Sequence, residues 1–499
     1  MGDPPKSDDI KKDWKKKYIE RIQNPSCYKK TKPSLPNSSD PESWKKYRID
    51  LSEYLEHSLN IINAYKKTVV ESKNTPKNKL SRDIDTNPFS YYKNEALASL
   101  WDVEDNISTL IENLNLEYKL MTVDETLQQK LKNYGSSFGG TYVDIKEKKV
   151  IINTLNNSLA DEIKASLEKE NHKNMLEFMS FIPAPKKKSM VELSSSFQNI
   201  TQLIYSQKPT DIQCYIDVKI NNVVIRYENG ITGRFWRFFS EVKKFEPELI
   251  IPNARHKYPG HKRANDLSLR GYITTQIWNG DGMSSQRMGT CSLGFWARAK
   301  GNVTLNYIVT AGHCFDEKYD RSKQKYYYSP WDSSEVKHYL GTMDLVRNKG
   351  TYDFGIINLQ DRKIGATRIR NSDSFLYNPL FIVGSRVPTS YGVHVCKSGK
   401  TTHITCGYVK GLGAVTTNTF GVIRTDVILA GKDDYQTCIT GDSGGSSFSY
   451  LQDLRNVVMV GITSSSFEDF NEYVPIDIIL NKAELELMIE GDDETSTSS

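Results

Sequence analysis

The sequence lacks the long apolar runs of a membrane protein. No stretch of about 18 apolar residues occurs in its 499 residues, whereas a membrane-spanning helix needs about 20. The opening residues, MGDPPKSDDIKKDWKKKY, also lack an apolar core of the length that a secretory signal peptide needs. We therefore expect no membrane span, and these opening residues do not predict export.

Charge of one sign is not in excess either. The 66 basic and 61 acidic residues leave a net charge of +5, and this balance does not predict nucleic-acid binding, which needs positive charge concentrated on one face. The lysine-rich run over 11–21 could contact nucleic acid or anionic lipid, but a solvated basic helix is the favoured interpretation.

The cysteines lack metal-binding spacing. None of the seven forms a CxxC pair, so a zinc site has no support, and we expect neither a metal nor an organic cofactor. Five of the seven lie after residue 290, and such clustering favours a disulfide-supported domain made in an oxidising compartment. Because seven is odd, at least one thiol stays free or pairs with another chain.

What the chain does contain predicts several domains. Residues 1–40 are a basic segment expected to be disordered, and residues 41–120 carry helical apolar periodicity and form a helical extension. Residues 121–265 show two strand–turn–strand patterns beside helical stretches, which predicts an α+β domain. Residues 270–485 consist of short β-branched or aromatic runs between turn residues, which predicts an antiparallel barrel or sandwich. Residues 486–499 are an acidic tail expected to be disordered.

One serine has the surroundings of a nucleophile. Ser443 lies in the motif TGDSGGS, and the glycines on both sides allow a strained turn that presents its hydroxyl. The amides of Gly441 and Ser443 could then donate to a developing oxyanion, each contributing about 3–4 kcal/mol to the transition state. The alternative is an ordinary Gly- and Ser-rich turn.

Serine needs a base, and the base needs an orienting acid. His313 ends an apolar strand in IVTAGHC, beside a cysteine that could fix it. Asp353 lies among aromatic and apolar residues in TYDFGII, where an unpaired charge would be costly, so we expect it to have a partner. Asp344 and Asp361 are the less favoured alternatives because their surroundings are more polar.

Taken together, TAGHC, YDFGI and TGDSGGS resemble the chymotrypsin-like serine peptidases, in their His–Asp–Ser order. GTCSLGF at 289–295 and CKSGKTT at 396–402 are similar to the bacterial branch that includes streptogrisins and alpha-lytic protease. The resemblance implies a double antiparallel β-barrel, disulfides Cys291–Cys314 and Cys396–Cys406, and an upstream pro-region that acts as folding template and inhibitor. It also implies a secreted, monomeric zymogen whose partners are protein or peptide substrates and its own pro-region.

The chain departs from this family at the specificity pocket. Ser464 keeps the expected substrate-binding position, but Ser465 and Ser466 stand where the family commonly has glycines. Cys438 has no cysteine at the matching position of the facing segment. Lys397 replaces an arginine that supports Asp442 beside the nucleophile, so Lys397–Asp442 is the expected, less forked ion pair.

The leading hypothesis is therefore a serine endopeptidase made as a zymogen. Ser443 would attack the peptide carbonyl, His313 would move the proton, Asp353 would orient His313, and the amides of Gly441 and Ser443 would hold the oxyanion. The alternative is a catalytically silent binding protein with the same fold, which the altered pocket keeps open.

Overall fold

Two helices begin the part of the chain that the computed structural model describes. The described residues are 95–491 except for 104–105, 170–172, 229–234, 254, 258–276, 286–288, 319, 321–322, 332–337, 360–366 and 372–378. The basic segment 1–40, the helical extension up to residue 94, most of the linker predicted over 252–270 and the tail from residue 492 lie outside them. The two helices are α1 (Glu95–Trp101) and α2 (Ile107–Leu131).

Helix α2 is longer than the periodicity predicted. Asn106 caps its start, since the side chain accepts a hydrogen bond from Ser108 N at 2.9 Å. The helix continues to Leu131 because its apolar stripe continues, with the buried residues Leu110, Leu114, Leu120, Val123, Leu127 and Leu131. The boundary predicted at 120/121 therefore falls inside a helix.

An α+β segment follows, which we call the upstream segment (residues 138–250). It repeats one arrangement: an antiparallel hairpin, a helical connection and a third strand parallel to the hairpin's second strand. The first copy contains β1 (Phe138–Asp144), β2 (Lys149–Thr154), α3 (Asn157–Lys169), α4 (Lys173–Leu176) and β3 (Met179–Pro183). Helix α5 (Met190–Gln207) connects it to the second copy, β4 (Ile212–Asp217), β5 (Asn222–Tyr227), α6 (Trp236–Val242) and β6 (Glu248–Ile250). The strand β7 (His256–Lys257) comes after it.

From residue 277 onward the described residues are mostly β, as the turn-separated apolar runs predicted. One sheet has the strand order β24-β10-β11-β14-β13-β12-β8-β9. Its strands are β8 (Gly282–Ser285), β9 (Thr290–Ser292), β10 (Phe295–Ala299), β11 (Asn302–Thr310), β12 (Lys325–Ser329), β13 (Tyr339–Arg347), β14 (Phe354–Asn358) and β24 (Leu485–Leu487). Its core includes the buried residues Leu293, Trp296, Ile308, Met343 and Ile357.

A second sheet contains most of the remaining strands of this region. Strands β15 to β18 and β21 to β22 are ordered β15-β16-β22-β21-β17-β18, while β19 pairs with β18 and β23, and β23 pairs with β22. The strands are β15 (Arg368–Ile369), β16 (Leu380–Ser385), β17 (His394–Gly399), β18 (His403–Thr417), β19 (Ile423–Gly431), β21 (Ser446–Tyr450), β22 (Asn456–Phe467) and β23 (Phe470–Pro475). Strand β20 (Tyr435–Gln436) instead pairs in parallel with β7 in a separate two-stranded sheet. Helix α7 (Ile476–Ala483) leads from β23 to β24.

The upstream segment extends this second sheet. Strand β4 pairs antiparallel with the end of β18, with Cys214 opposite Val415, Gln213 opposite Thr416 and Ile212 opposite Thr417. Side chains from both partners therefore lie on one continuous sheet, which is how a residue of the upstream segment comes close to the candidate site.

The prediction of a disordered tail from residue 486 is wrong over its first residues. Glu486 lies in β24, opposite Arg298 of β10, and the two side chains form an ion pair at 3.2 Å. Glu490 N donates to Ile382 O at 2.8 Å, and Thr367 Oγ1 donates to Glu490 at 2.6 Å. The acidic residues bind specific donors, which composition alone does not reveal.

Candidate active site

His313 is presented by a tight turn at the end of a buried strand. Strand β11 ends at Thr310, and Gly312–Cys314 forms a single 3₁₀ turn. Cys314 is disulfide-bonded to Cys291, with Cα atoms 6.3 Å apart. The strand and the disulfide hold both ends of the turn, which restricts the position of His313. Its side chain is 39% exposed, so one edge of the ring can meet another molecule.

Asp353 meets His313 because their strands are neighbours. Thr310 of β11 lies opposite Gly355 of β14, so the turn after β11 and the residue before β14 meet at the same edge. The Asp353 carboxylate accepts a hydrogen bond from His313 N at 2.9 Å, and its other oxygen lies 2.7 Å from His313 Nδ1. A carboxylate at that distance requires the proton on Nδ1, which leaves the lone pair on Nε2 free to accept a proton.

The charge of Asp353 is maintained inside the protein. The side chain has no exposure to solvent, and this burial on its own would raise its pKa. The charges of His313 and Arg424 and the hydrogen bonds from His313 and Ser464 oppose burial and prevail, so the pKa of Asp353 lies well below its usual value. Asp353 is therefore a carboxylate throughout the neutral pH range.

Ser443 lies on a turn that requires glycine. Gly441 and Gly444 have φ of 104° and 86°, in the region that favours glycine. A Cβ on Gly444 would lie 2.1 Å from Thr310 Oγ1, and one on Gly441 would lie 2.3 Å from Thr401 Oγ1. The turn is also held by Ser292, whose amide donates to Ser443 O at 2.8 Å.

Two amides of this turn are not used by the protein itself. The amides of Asp442, Gly444 and Gly445 donate to carbonyl oxygens of Ile439, Thr463 and Asp442 at 3.1, 2.7 and 2.9 Å. Within the described residues, the amides of Gly441 and Ser443 have no acceptor. These are the two amides that the sequence motif predicted as oxyanion donors, and they are free to bind an external oxygen.

Ser443 contacts the residue next to His313 but forms no direct hydrogen bond with His313 itself. Ser443 is half-buried, and its carbonyl oxygen is 3.9 Å from the sulphur of Cys314, the residue after His313. No hydrogen bond between the Ser443 hydroxyl and His313 occurs in the part of the chain that the structure describes. In proteins without bound substrate, such bonds are often long and tighten only when substrate is present.

Asp442 and Lys397 form the buried ion pair that the sequence predicted. Lys397 Nζ lies 3.4 Å from Asp442 Oδ2, and neither side chain is exposed. Asp442 also accepts hydrogen bonds from Thr401 N, Thr402 N and Ile439 N at 2.9, 3.0 and 3.1 Å. A buried charge pair is tolerated only with such additional hydrogen bonds, and these bonds fix the residue before Ser443.

The predicted pocket segment is engaged in other contacts. Ser464 is fully buried and donates to Asp353 at 2.7 Å, so its side chain is not directed at a substrate. Ser465 and Ser466 are half-buried, and Ser466 Oγ donates to Cys438 O at 3.2 Å. Cys438 is a free, buried thiol whose pKa is raised to about 12, mainly by burial. The substrate-binding role of Ser464–Ser466 stays a prediction.

Both cysteine pairs implied by the resemblance are disulfide-bonded in the structure. Besides Cys291–Cys314, Cys396 and Cys406 lie opposite each other on β17 and β18 and are bonded.

In the part of the chain that the structure describes, no helix is long and apolar enough to span a bilayer. The same residues contain no group of three or more His, Cys, Asp or Glu side chains suited to a metal ion.

The motifs did not reveal two charged residues of this site. Arg424 in β19 lies 3.1 Å from Asp353, and Glu472 in β23 lies 3.8 Å from Arg424. Neither belongs to a recognisable motif. The available signal was a charged residue within a strand rich in apolar residues, which indicates a buried partner but does not say which one.

Comparison with known proteins identifies the C-terminal region. Residues 302–480 match the trypsin family model. The chain is 23% identical over 413 residues to Serine protease 1 of Rarobacter faecitabidus, and the match covers 77% of this chain and 62% of that protein. The chain thus spans less than two thirds of that relative's length.

Solved bacterial proteases are also similar to the C-terminal region. Thermobifida fusca Protease A is 19% identical, with 43% of this chain and 99% of that chain covered and a TM-score of 0.32. Nocardiopsis Protease is 20% identical, with 42% of this chain and 98% of that chain covered and a TM-score of 0.33.

Proposed function

We propose that this chain, which contains a trypsin-like serine protease domain with the mostly β, chymotrypsin-like fold, is a serine endopeptidase that acts through Ser443, His313 and Asp353. The observation that carries the proposal is the pair of free amides at Gly441 and Ser443, on a turn in which the amides of Asp442, Gly444 and Gly445 are engaged. A protein that only bound ligands through this fold would not need two unpaired donors beside a serine.

The chemistry follows from these positions. Ser443 Oγ attacks the peptide carbonyl while His313 Nε2 takes its proton, and the resulting oxyanion accepts hydrogen bonds from the two free amides. Asp353 stabilises the imidazolium through Nδ1. His313 then gives the proton to the leaving amine, and water, activated by the same imidazole, hydrolyses the acyl-enzyme.

We propose further that the chain is made as a zymogen and that residues 121–265 are its pro-region. A contact of these residues supports this: strand β4 pairs antiparallel with β18 of the C-terminal region from residue 277 onward, which we call the protease domain. The two disulfides support passage through an oxidising compartment and hence secretion. The substrates would be proteins or peptides.

The alternative of a silent binding protein has two observations in its favour: the altered pocket segment at Ser465 and Ser466, and the missing hydrogen bond between Ser443 and His313. A fluorophosphonate probe, which reacts only with an activated serine, distinguishes the two. We expect labelling of the purified preparation, full-length and processed forms together. Ser443→Ala should abolish labelling, whereas Ser449→Ala, a half-buried serine of β21, should keep it.

The proposal fails if correctly folded protein is not labelled at any stage of processing, or if Ser443→Ala labels as well as the wild type. Resolving full-length and processed forms on a gel in the same experiment tests the zymogen. Labelling confined to the processed form supports it, and equal labelling of both forms contradicts it.

A further inference from the structure

A second charged side chain contacts Asp353 besides His313. Arg424 of β19 is only 6% exposed, and its Nη2 lies 3.1 Å from Asp353 Oδ2. Its Nη1 donates to Ser464 Oγ at 2.9 Å, and Ser464 Oγ donates to the same Asp353 oxygen at 2.7 Å. The carboxylate is therefore attached to Arg424 both directly and through Ser464.

A third charge lies behind Arg424. Glu472 of β23 is also 6% exposed, and its carboxylate is 3.8 Å from Arg424 Nη1. It accepts hydrogen bonds from Gln213 Nε2 at 3.1 Å and from Thr416 Oγ1 at 3.2 Å. Gln213 belongs to β4, so the upstream segment supplies one of the two donors that hold Glu472.

The alternating charges of Asp353, Arg424 and Glu472 determine the negative charge that acts on His313. An arginine beside Asp353 offsets part of the negative charge that should stabilise the imidazolium. Glu472 offsets the arginine in turn. The three side chains, −1, +1 and −1, sum to −1, which complements the single positive charge that His313 acquires in the transition state.

We propose that Arg424 is a positioning residue for Asp353, and that Glu472 controls how much of the Asp353 charge acts on His313. The inference rests on the proposed function, because a positioning residue has meaning only if the triad reacts. It assigns a role to two residues that lie outside the three sequence motifs.

The charged and hydrogen-bonding groups around Asp353 predict whether each substitution makes protonation of His313 easier or harder. The groups facing it are His313 from the turn after β11, Ser464 from β22 and Arg424 from β19, with Glu472 of β23 behind Arg424. Removing the arginine charge makes protonation of the imidazole easier. Removing the glutamate charge leaves the positive charge of the arginine unopposed, and protonation of the imidazole becomes harder.

The test is the pH dependence of Ser443 labelling by a fluorophosphonate in the whole preparation. In Arg424→Met we expect the pH of half-maximal rate to rise by about one unit and the maximal rate to fall about tenfold as Asp353 loses its anchor. In Glu472→Gln we expect the half-maximal pH to fall. Arg424→Lys should restore the wild-type midpoint because it keeps the charge.

The matched control is Arg370→Met. Arg370 is a buried arginine paired with Asp281 in the same protease domain, at 4% and 0% exposure, so it should lower stability without moving the midpoint. If Arg424→Met does not fold, the inference is tested by the labelling midpoints of the isosteric Glu472→Gln and the charge-preserving Arg424→Lys.

The inference is overturned if folded Arg424→Met and Glu472→Gln keep the wild-type midpoint, or if these two variants move it in the same direction. A wild-type protein that is not labelled at any pH is a different result, because it overturns the proposed function itself. Opposite shifts cannot come from a general loss of stability.

Discussion

Asp353 combines two properties at a single residue: a fixed orientation and a permanent charge. Its oxygens accept hydrogen bonds from His313 N and Ser464 Oγ and contact His313 Nδ1 and Arg424, all within 3.1 Å. A buried carboxylate with this many donors remains ionised despite the loss of water. An amide in its place would keep the shape but could not hold the imidazole in the same tautomer.

We therefore expect Asp353→Asn to reduce the rate of Ser443 labelling by about 10⁴-fold.

Because the pKa of Asp353 is lowered in the folded state, its carboxylate contributes stability that is present above the unfolded pKa of about 3.9 and is lost as pH falls through the folded pKa. Urea unfolding of the wild type and the variant from pH 7 down to pH 3 should show a constant difference near neutrality that shrinks in acid. A difference that grows toward acid would contradict this assignment.

For single residues, the sequence predicts the site where the backbone conformation requires a particular residue type. Gly441 and Gly444 mark a turn that only glycine allows, so the motif around Ser443 could be recognised without a structure. Arg424 and Glu472 could not be recognised, because their role comes from the pairing of β19 with β23 and β23 with β22. No local pattern records which side chains such pairing brings together.

Among the elements, helix α2 has an unusual role, since it attaches to the protease domain through acidic residues. Glu117 accepts hydrogen bonds from His394 N and Nδ1 at 2.9 and 2.5 Å, and His394 Nε2 accepts one from Tyr450 N at 2.9 Å. Glu125 of the same helix pairs with Arg386. The helix therefore depends on specific polar contacts as well as on its apolar stripe.

Replacing Glu117 with alanine should destabilise the full chain by about 2–6 kcal/mol, because two buried donors of His394 lose their acceptor and each costs about 1–3 kcal/mol. The measurement is the midpoint of urea unfolding at neutral pH. Glu112→Ala is the matched control, since Glu112 lies on an exposed position of the same helix and should change the stability by less than about 0.5 kcal/mol. Equal effects of the two variants would mean that the His394 contact contributes nothing.

The elements themselves were predicted well where partners are close in sequence. Both hairpins of the upstream segment follow from alternating apolar residues around a short polar turn, as between Asp144 and Lys149. The pairing of β4 with β18 was not predicted, because Gln213 and Thr416 are far apart along the chain. The ordered position of Glu486 was missed for a related reason, since its partner strand β10 begins at residue 295.

For the whole molecule, the continuous sheet is one structural link between the upstream segment and the protease domain. Strands β6, β5 and β4 continue the sheet that contains β17, β18, β21 and β22. On the proposed zymogen pathway this link must break when the upstream segment leaves. The end of β18 would then lose one of its two neighbours and keep only β19.

Amide hydrogen exchange can follow this loss directly. We expect a peptide covering Val415–Thr417 to be protected in the full-length chain and to exchange faster after processing and release of the upstream segment, since some of its amides lose the β4 carbonyls. A peptide covering His394–Gly399 is the internal control, because β17 lies between β18 and β21 and keeps both neighbours. Faster exchange in the first peptide alone would show that the end of β18 becomes an open edge of the sheet, beside β19, after processing. Unchanged exchange in a preparation from which the upstream segment has been removed would mean that β18 does not depend on β4, and the upstream segment would then have to act elsewhere on the protease domain.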